Sequence, residues 1–301
     1  RHMDLHLAFP DRGDWSDDVP LPDRRAMKPP TIPAWDAGFS HWTPFVTLPQ
    51  WGYQTNVATM NNGREATIVR LSAWTFEGRN LARGWIRKRL EPGERLIVRD
   101  VDHYFPLHQV VAILHQCPVS WNEPARERPT AEISGWMGMG DDWVEYRRPD
   151  GAGGGVLYTG FFFNDPRTAK RHSTVVQSPK VLLGPHHETG LILMNVSTWA
   201  AHASPAEVSV RLHHPSGVHG TVTTIPAWGA DVLTMSHHHG EQEENYGLLI
   251  AISPTVTVVP IGFIRDLRSG ALAIDHTMPP GSYHDAWGDT EKRATWAAAI
   301  A

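Results

Sequence analysis

The chain is predicted to be all-β: two tandem β-sandwich domains related by internal duplication, with short helical segments only. Three observations predict this. The 26 glycines and 24 prolines are spread along all 301 residues, which leaves little room for long helices. Between them lie short runs rich in β-branched and aromatic residues, several of them alternating; Glu207–Leu212 reads polar, apolar, polar, apolar, polar, apolar. Finally, a set of short matches recurs in the same order in both halves.

Taken along the chain, residues 1–35 are rich in Asp, Arg and Pro and read as an N-terminal arm. The first sandwich is expected over 36–140, with β runs at Glu65–Trp74 and Glu94–Val101 and a helix candidate at Pro106–His115. Residues 141–172, which hold GAGGG, read as a Gly-rich connector and linking strand. The second sandwich is expected over 173–289, with runs at Ser173–Leu183, Gly190–Val196, Ala206–His213, Gly220–Ile225, Asp231–Met235, Tyr246–Ile252 and Thr255–Phe263. Residues 290–301 read as a helical tail.

The duplication rests on collinear pairs. Pro44–Leu48 (PFVTL) recurs as Pro179–Leu183 (PKVLL). Gln54-Thr55 followed by Met60-Asn61 recurs as Glu188-Thr189 followed by Met194-Asn195. Arg70-Leu71 matches Arg211-Leu212, and Leu90-Glu91-Pro92 matches Ile225-Pro226. Arg126-Glu127 is matched with Arg265-Asp266.

Composition excludes several classes. Lys plus Arg is 27 against 32 for Asp plus Glu, a net charge of −5, so no broad footprint for a nucleic-acid backbone exists. No apolar run nears the roughly 18 residues a membrane helix needs. The early MDLHLAFPDRGDW is broken by acids, Pro and Gly, unlike a signal peptide, and a cytoplasmic protein is expected. Cys117 is the only cysteine, which removes internal disulfides and multi-cysteine zinc sites. No GxSxG, P-loop or GxGxxG before a helix occurs.

The second copy resembles the sensory-rhodopsin transducer superfamily of cyanobacteria. The likeness is carried by His187-Glu188-Thr189, a strand ending in Met194-Asn195, the alternating Val208–Leu212, Thr224-Ile225-Pro226, and Thr255–Arg265. It covers roughly Ser173–Pro280, with a degenerate echo over Pro44–Met139. The resemblance implies a small β-sandwich that binds small molecules, sugars or related metabolites among them, and assembles into oligomers. This sequence departs from the pattern in fusing two copies and in having Tyr53-Gln54-Thr55 in the first.

Candidate site residues follow. His187 and Thr189 share one face of a strand and Glu188 takes the other, because side chains alternate. Imidazole and hydroxyl together suit a polyol or a carboxylate; alternatively they serve only cross-strand packing. Arg265, closing the apolar run PTVTVVPIGFIR, presents a fork of donors for carboxylate, phosphate or vicinal hydroxyls. Its alternative is an ion pair with Asp266, Asp275 or an acid on a neighbouring strand. Arg126 is its counterpart in the first copy, His276 is expected to close the site, and Trp51 stands at its lip. Asn61 and Asn195 end equivalent strands, where Asn suits local backbone bonds.

The metal-like stretch is SHHHG. His237, His239 and Glu243 have the spacing HxHxxxE, and His284 closes PxGxxH, which together resemble the two metal motifs of cupins. Asp231 replaces the expected glycine and Gly288 the expected asparagine, so no metal or other cofactor is expected. The function expected is binding of a small polar metabolite, a sugar or sugar acid, with no nucleic-acid or membrane partner and a homo-oligomer as the assembly. The rival class is an enzyme, either a cupin-like metal enzyme using those four residues or a metal-free lyase or glycoside-acting enzyme. A third reading is an assembly protein.

Overall fold

The structure, a computed structural model, describes residues 41–63, 65–119, 140–157, 174–197, 202–235 and 245–276. The first half holds β1 (His41–Val46), β2 (Gln54–Asn61), β3 (Thr67–Thr75), β4 (Asn80–Leu90), β5 (Arg95–Val98), β6 (Val110–Pro118), β7 (Gly140–Arg147) and β8 (Gly153–Leu157). The second holds β9 (Thr174–Leu183), β10 (His187–Met194), β11 (Ala206–His214), β12 (Gly217–Ile225), β13 (Ala230–Thr234), β14 (Asn245–Ser253), β15 (Val259–Asp266) and β16 (Leu272–His276). Helical structure among the described residues is confined to short 3-10 turns, such as Pro49–Trp51 and Val101–Tyr104. None of it is long and apolar enough to cross a membrane. The chain is all-β, as expected.

Strand order shows the duplication. The first half forms the sheets β1-β6-β3-β4 and β5-β2-β7-β8; the second forms β9-β14-β11-β12 and β13-β10-β15-β16. Adding eight to each number of the first pair gives the second pair. Register agrees as well, with one correction: Thr67 pairs with Leu90 as Ala206 pairs with Ile225, so Ser209 stands in the place of Arg70, and the expected match of Arg70-Leu71 with Arg211-Leu212 is two residues out of register.

Two asparagines hold corresponding corners in the same way. Asn61 Nδ2 donates to Leu90 O at 3.1 Å and Glu65 O at 2.9 Å; Asn195 Nδ2 donates to Ile225 O at 3.1 Å and Ser204 O at 2.9 Å. Their backbones also match: Gly93 N donates to Asn61 O, and Trp228 N to Asn195 O. Asparagine does this because its amide supplies two donors on a short stem. The turn residue differs. Gly93 has φ 80°, natural for glycine, whereas Trp228 occupies the same left-handed place at φ 65°. Its ring stacks on Trp74 of the first copy, centroids 4.7 Å apart, and its Nε1 donates to His202 O, contacts that offset the strained backbone.

The sheet β13-β10-β15-β16 is buried on both faces. Leu191 and Leu193 join a core with Val208, Val210 and Leu212 of β11. Ile192, Met194, Ile261 and Phe263 turn the other way and join a core with Val57, Val144 and Tyr146 of the first copy. Further bonds tie the copies: Ala230 N donates to Phe76 O at 3.1 Å, and Tyr53 OH to Gly270 O at 2.7 Å. Along the seam β8 meets β16. A Cβ at Gly154 would stand 1.8 Å from Leu272 O, so glycine is obligatory there.

Two further expectations are corrected. Pro106–His115 is not a helix; Val110–Leu114 are the buried start of β6, between β1 and β3. The first copy does not end at 140. Strands β7 and β8, counterparts of β15 and β16, extend it through the supposed connector to Leu157. The arm 1–35 and the tail 290–301 lie outside the described residues.

Candidate functional site

In the second copy, antiparallel register sets Glu188 of β10 opposite Arg265 of β15. Arg265 Nε donates to Glu188 Oε2 at 2.7 Å, and Nη2 closes on the same oxygen. The two side chains keep only 18% and 10% of their exposure. The Trp51 ring stands over the guanidinium at 4.7 Å and packs against Phe263 with centroids 4.8 Å apart. A cation between a carboxylate and an indole face has its charge answered on two sides. Tyr53 lies beside this cluster, and burial pushes its phenol above the usual value against the pull of Arg265 and Arg148.

Of the two expectations for Arg265, the structure shows the ion pair with an acid on a neighbouring strand. Arg265 does avoid Asp266, whose carboxyl accepts Arg268 N at 2.8 Å and Ser269 N at 2.9 Å and is held below the usual range by those bonds. The acid that takes Arg265 is Glu188, one of the residues expected to face ligand. Thr189 is 1% exposed and donates to Leu182 O, so its hydroxyl is spent inside the sandwich. His187 lies half-buried at the start of β10. His276 pairs with Ile261, while Arg265 pairs with Leu272. Four residues of strand, roughly 13 Å, separate the two rungs.

The match of Arg126 with Arg265 is also corrected. Arg147 stands opposite Gln54 in the β2–β7 ladder, as Arg265 stands opposite Glu188. The topological twin of Arg265 is therefore Arg147; Arg126 lies outside the described residues. By the same register Asn56 and Glu145 take the places of Gly190 and Phe263, and Ala58 and Trp143 those of Ile192 and Ile261.

These first-copy residues form a polar face that is open at its edges, while Glu145 at its centre keeps only 11% of its side-chain exposure. Gln54 is exposed, and Asn56, Trp143 and Arg147 are part-exposed. Glu145 is held from two sides: Asn56 Nδ2 donates to Oε2 at 2.9 Å, and Arg147 Nη2 lies 2.9 Å from Oε1. Asn56 is fixed in turn, because its Oδ1 accepts Asp100 N at 2.9 Å. Next to it Thr55 N donates to Asp102 Oδ2 at 2.6 Å, and burial pushes the Asp102 carboxyl above its usual range. Beside Glu145 and Arg147 run Gly155 and Gly153 of β8, which bring no side chains to the face. A Cβ at Gly155 would come within 2.4 Å of Trp143 Cζ2, so the indole lies directly over that glycine.

Sequence reasoning missed Asn56, Trp143, Glu145 and Arg147. Their signal was present, since Trp143, Glu145 and Arg147 alternate in DWVEYR, but the preceding acids made the stretch read as a loop. His237, His239, Glu243 and His284 lie outside the described residues. Among the described residues no group of three His, Cys, Asp or Glu could hold a metal ion. Cys117 sits in β6 opposite Ile68.

No protein-family model matches the chain, and no curated protein matches it. Among solved structures, a calcium-binding mutant of Bacteroides uniformis beta-glucuronidase 2 is 12% identical with a TM-score of 0.18, over 82% of this chain and 28% of that one. A second Bacteroides uniformis beta-glucuronidase structure is 11% identical with a TM-score of 0.18, over 86% and 29%. A glycosyl hydrolase family 2 member from Bacteroides cellulosilyticus is 8% identical with a TM-score of 0.14, over 81% and 29%. The chain spans less than a third of the length of these proteins, and at such scores the likeness carries no weight for function.

Proposed function

We propose that the chain recognises a small polar metabolite, a sugar or sugar acid, and that the binding face is the open side of β5-β2-β7-β8. The observation that carries this is the opposite fate of one face in two copies. In the second copy it is apolar and covered, with its charges paired under Trp51. In the first copy the same positions hold Gln54, Asn56 and Arg147 at the surface, a largely buried Glu145 between them and a part-exposed indole. A few convergent polar groups beside an aromatic ring are what a sugar site requires. The resemblance of the second copy to the sensory-rhodopsin transducer superfamily supports the same ligand class, and the homo-oligomer that it implies belongs to this proposal.

The test is an array of mono- and oligosaccharides probed with the wild-type chain, Trp143→Ala and Trp51→Ala. The proposal expects Trp143→Ala to abolish binding and Trp51→Ala to keep it while lowering thermal stability. Saccharide binding that depends on Trp51 and ignores Trp143 would move the site to the second copy.

A further inference from the structure

We infer that the open face takes a neutral pyranose through two adjacent hydroxyls, with Glu145 as their common acceptor; this rests on the sugar-binding reading above and names its ligand class. The geometry of Glu145 supports it. An ionised carboxylate has about four acceptor positions, and Asn56 and Arg147 occupy one on each oxygen. One position per oxygen remains. Two acceptors side by side, each held by one flanking donor and reached through the 11% of the side chain that stays exposed, match the paired donors of a vicinal diol and need little ordering when the ring arrives.

The surroundings complete the fit. Trp143 lies one rung along the same strand and the same face, so a ring anchored at Glu145 sets its apolar C–H face against the indole. Gly153 and Gly155 bring no side chains to the adjoining strip of β8, and the Trp143 indole covers Gly155, so a ring would lie on the outer side of that indole. In the second copy those positions are Leu272 and Ile274, and both lean into the seam core.

Charge selects the neutral class. The Arg147 guanidinium beside Glu145 is already engaged by it, so the pair brings little net charge. A hexuronate would set its own carboxylate near that of Glu145, and among the described residues the adjacent cation, Arg147, already faces that acid. Arg95 is on the same face but opposite Met60, four residues along β2 from Asn56, roughly 13 Å from the Glu145 rung. Arg99, past the end of β5, is separated from β7 by the width of β2, about 10 Å between strand axes.

The experiment is saturation-transfer NMR with calorimetry on the full chain. Its probes are methyl β-D-glucopyranoside, methyl β-D-galactopyranoside and methyl α-D-mannopyranoside, set against sodium D-glucuronate and sodium D-galacturonate. Binding of a neutral glycoside, weakened about 10-fold or more by Glu145→Gln, is expected, the size of one lost charge-assisted hydrogen bond. Asn56→Ala, which frees one arm of the carboxylate, should weaken the same probe by a smaller factor, roughly threefold. Thermal melts of both variants check that each is folded. Binding of the uronates without the neutral glycosides would overturn the neutral class and leave the sugar-binding reading standing. Binding by none of the five would count against the reading itself. Neutral binding indifferent to Glu145→Gln would remove Glu145 as the acceptor.

Discussion

Strands β2 and β10 are the same strand in two copies, and their sequences diverge as their surroundings do. In β10 every residue from Glu188 to Met194 is buried, because one side packs on β11 and its neighbours and the other on the first copy. Its sequence is accordingly an apolar run, GLILM. In β2 the residues facing the sandwich, Thr55, Val57, Thr59 and Asn61, are buried, while Gln54, Asn56 and Met60 are not. A strand covered on one side alternates; a strand covered on both does not. The difference teaches where a ligand can reach. Duplication supplied two equal faces, the second copy spent its face on holding the molecule together, and the first copy kept one that water still wets.

The largest effect is expected at the seam. Gly154→Ala gives β8 the residue that β16 carries at the matching position, Ala273, but the new Cβ would meet Leu272 O at 1.8 Å. A backbone oxygen cannot swing aside, so about 3 kcal/mol of stability should be lost, read by denaturant unfolding. A variant as stable as wild type would mean that β8 and β16 do not pack as described.

The asparagines sharpen the equivalence. Asn61→Ala and Asn195→Ala each strand two carbonyl oxygens that now receive an amide donor, at a cost of about 2–3 kcal/mol apiece. The two losses should be equal within about 1 kcal/mol. A loss confined to one copy would break the match.

Next come the twin arginines. Glu188→Gln leaves the Arg265 charge beneath Trp51 without its acid, a partly buried defect worth about 2 kcal/mol. Removing Arg147, whose side chain is 41% exposed, leaves the largely buried Glu145 with the Asn56 amide and should cost about 1 kcal/mol, less than the loss at Glu188. Reversal of that order in unfolding measurements would place the covered face in the first copy.

Asp102 gives a smaller effect with a definite sign. Burial raises its folded-state pKa above the unfolded value, so the protein binds that proton more tightly when folded. The group's contribution to stability is therefore fully present below the unfolded pKa and is lost as pH rises through the folded one. Asp102→Asn keeps an oxygen for Thr55 N and removes the buried charge. It should raise the melting temperature at pH 7, with the gain shrinking towards pH 4. A variant less stable at pH 7 than wild type would show that the ionised carboxylate is needed there.

Much of the fold was legible in the chain, the second copy most of all. Runs such as VSVRLH and GLILMN pair β-branched or aliphatic residues with clear breaks, and the matched Asn61 and Asn195 do the same work in both copies. Strand β6 was not legible, since Val110–Leu114 are buried without alternation and a short apolar run has no period to read. Strand β7 was hidden by acids. Asp142 faces inward and accepts a hydrogen bond from Thr43 of β1, which no local pattern announces. The site was misread for a related reason. That Arg265 takes Glu188 follows from the register of β10 against β15, and that Arg147 is its twin follows from β2 against β7. Register between strands far apart in sequence is decided by how both faces of the sheet are covered.

The most direct measurement is a crystal structure of the chain soaked with the neutral methyl pyranoside that binds best in solution. Ring density is expected on the outer face of the Trp143 indole, with two hydroxyls on Glu145 and an unchanged Glu188–Arg265 pair beneath Trp51. Density against Arg265, with Trp51 swung away and the first-copy face bare, would contradict it.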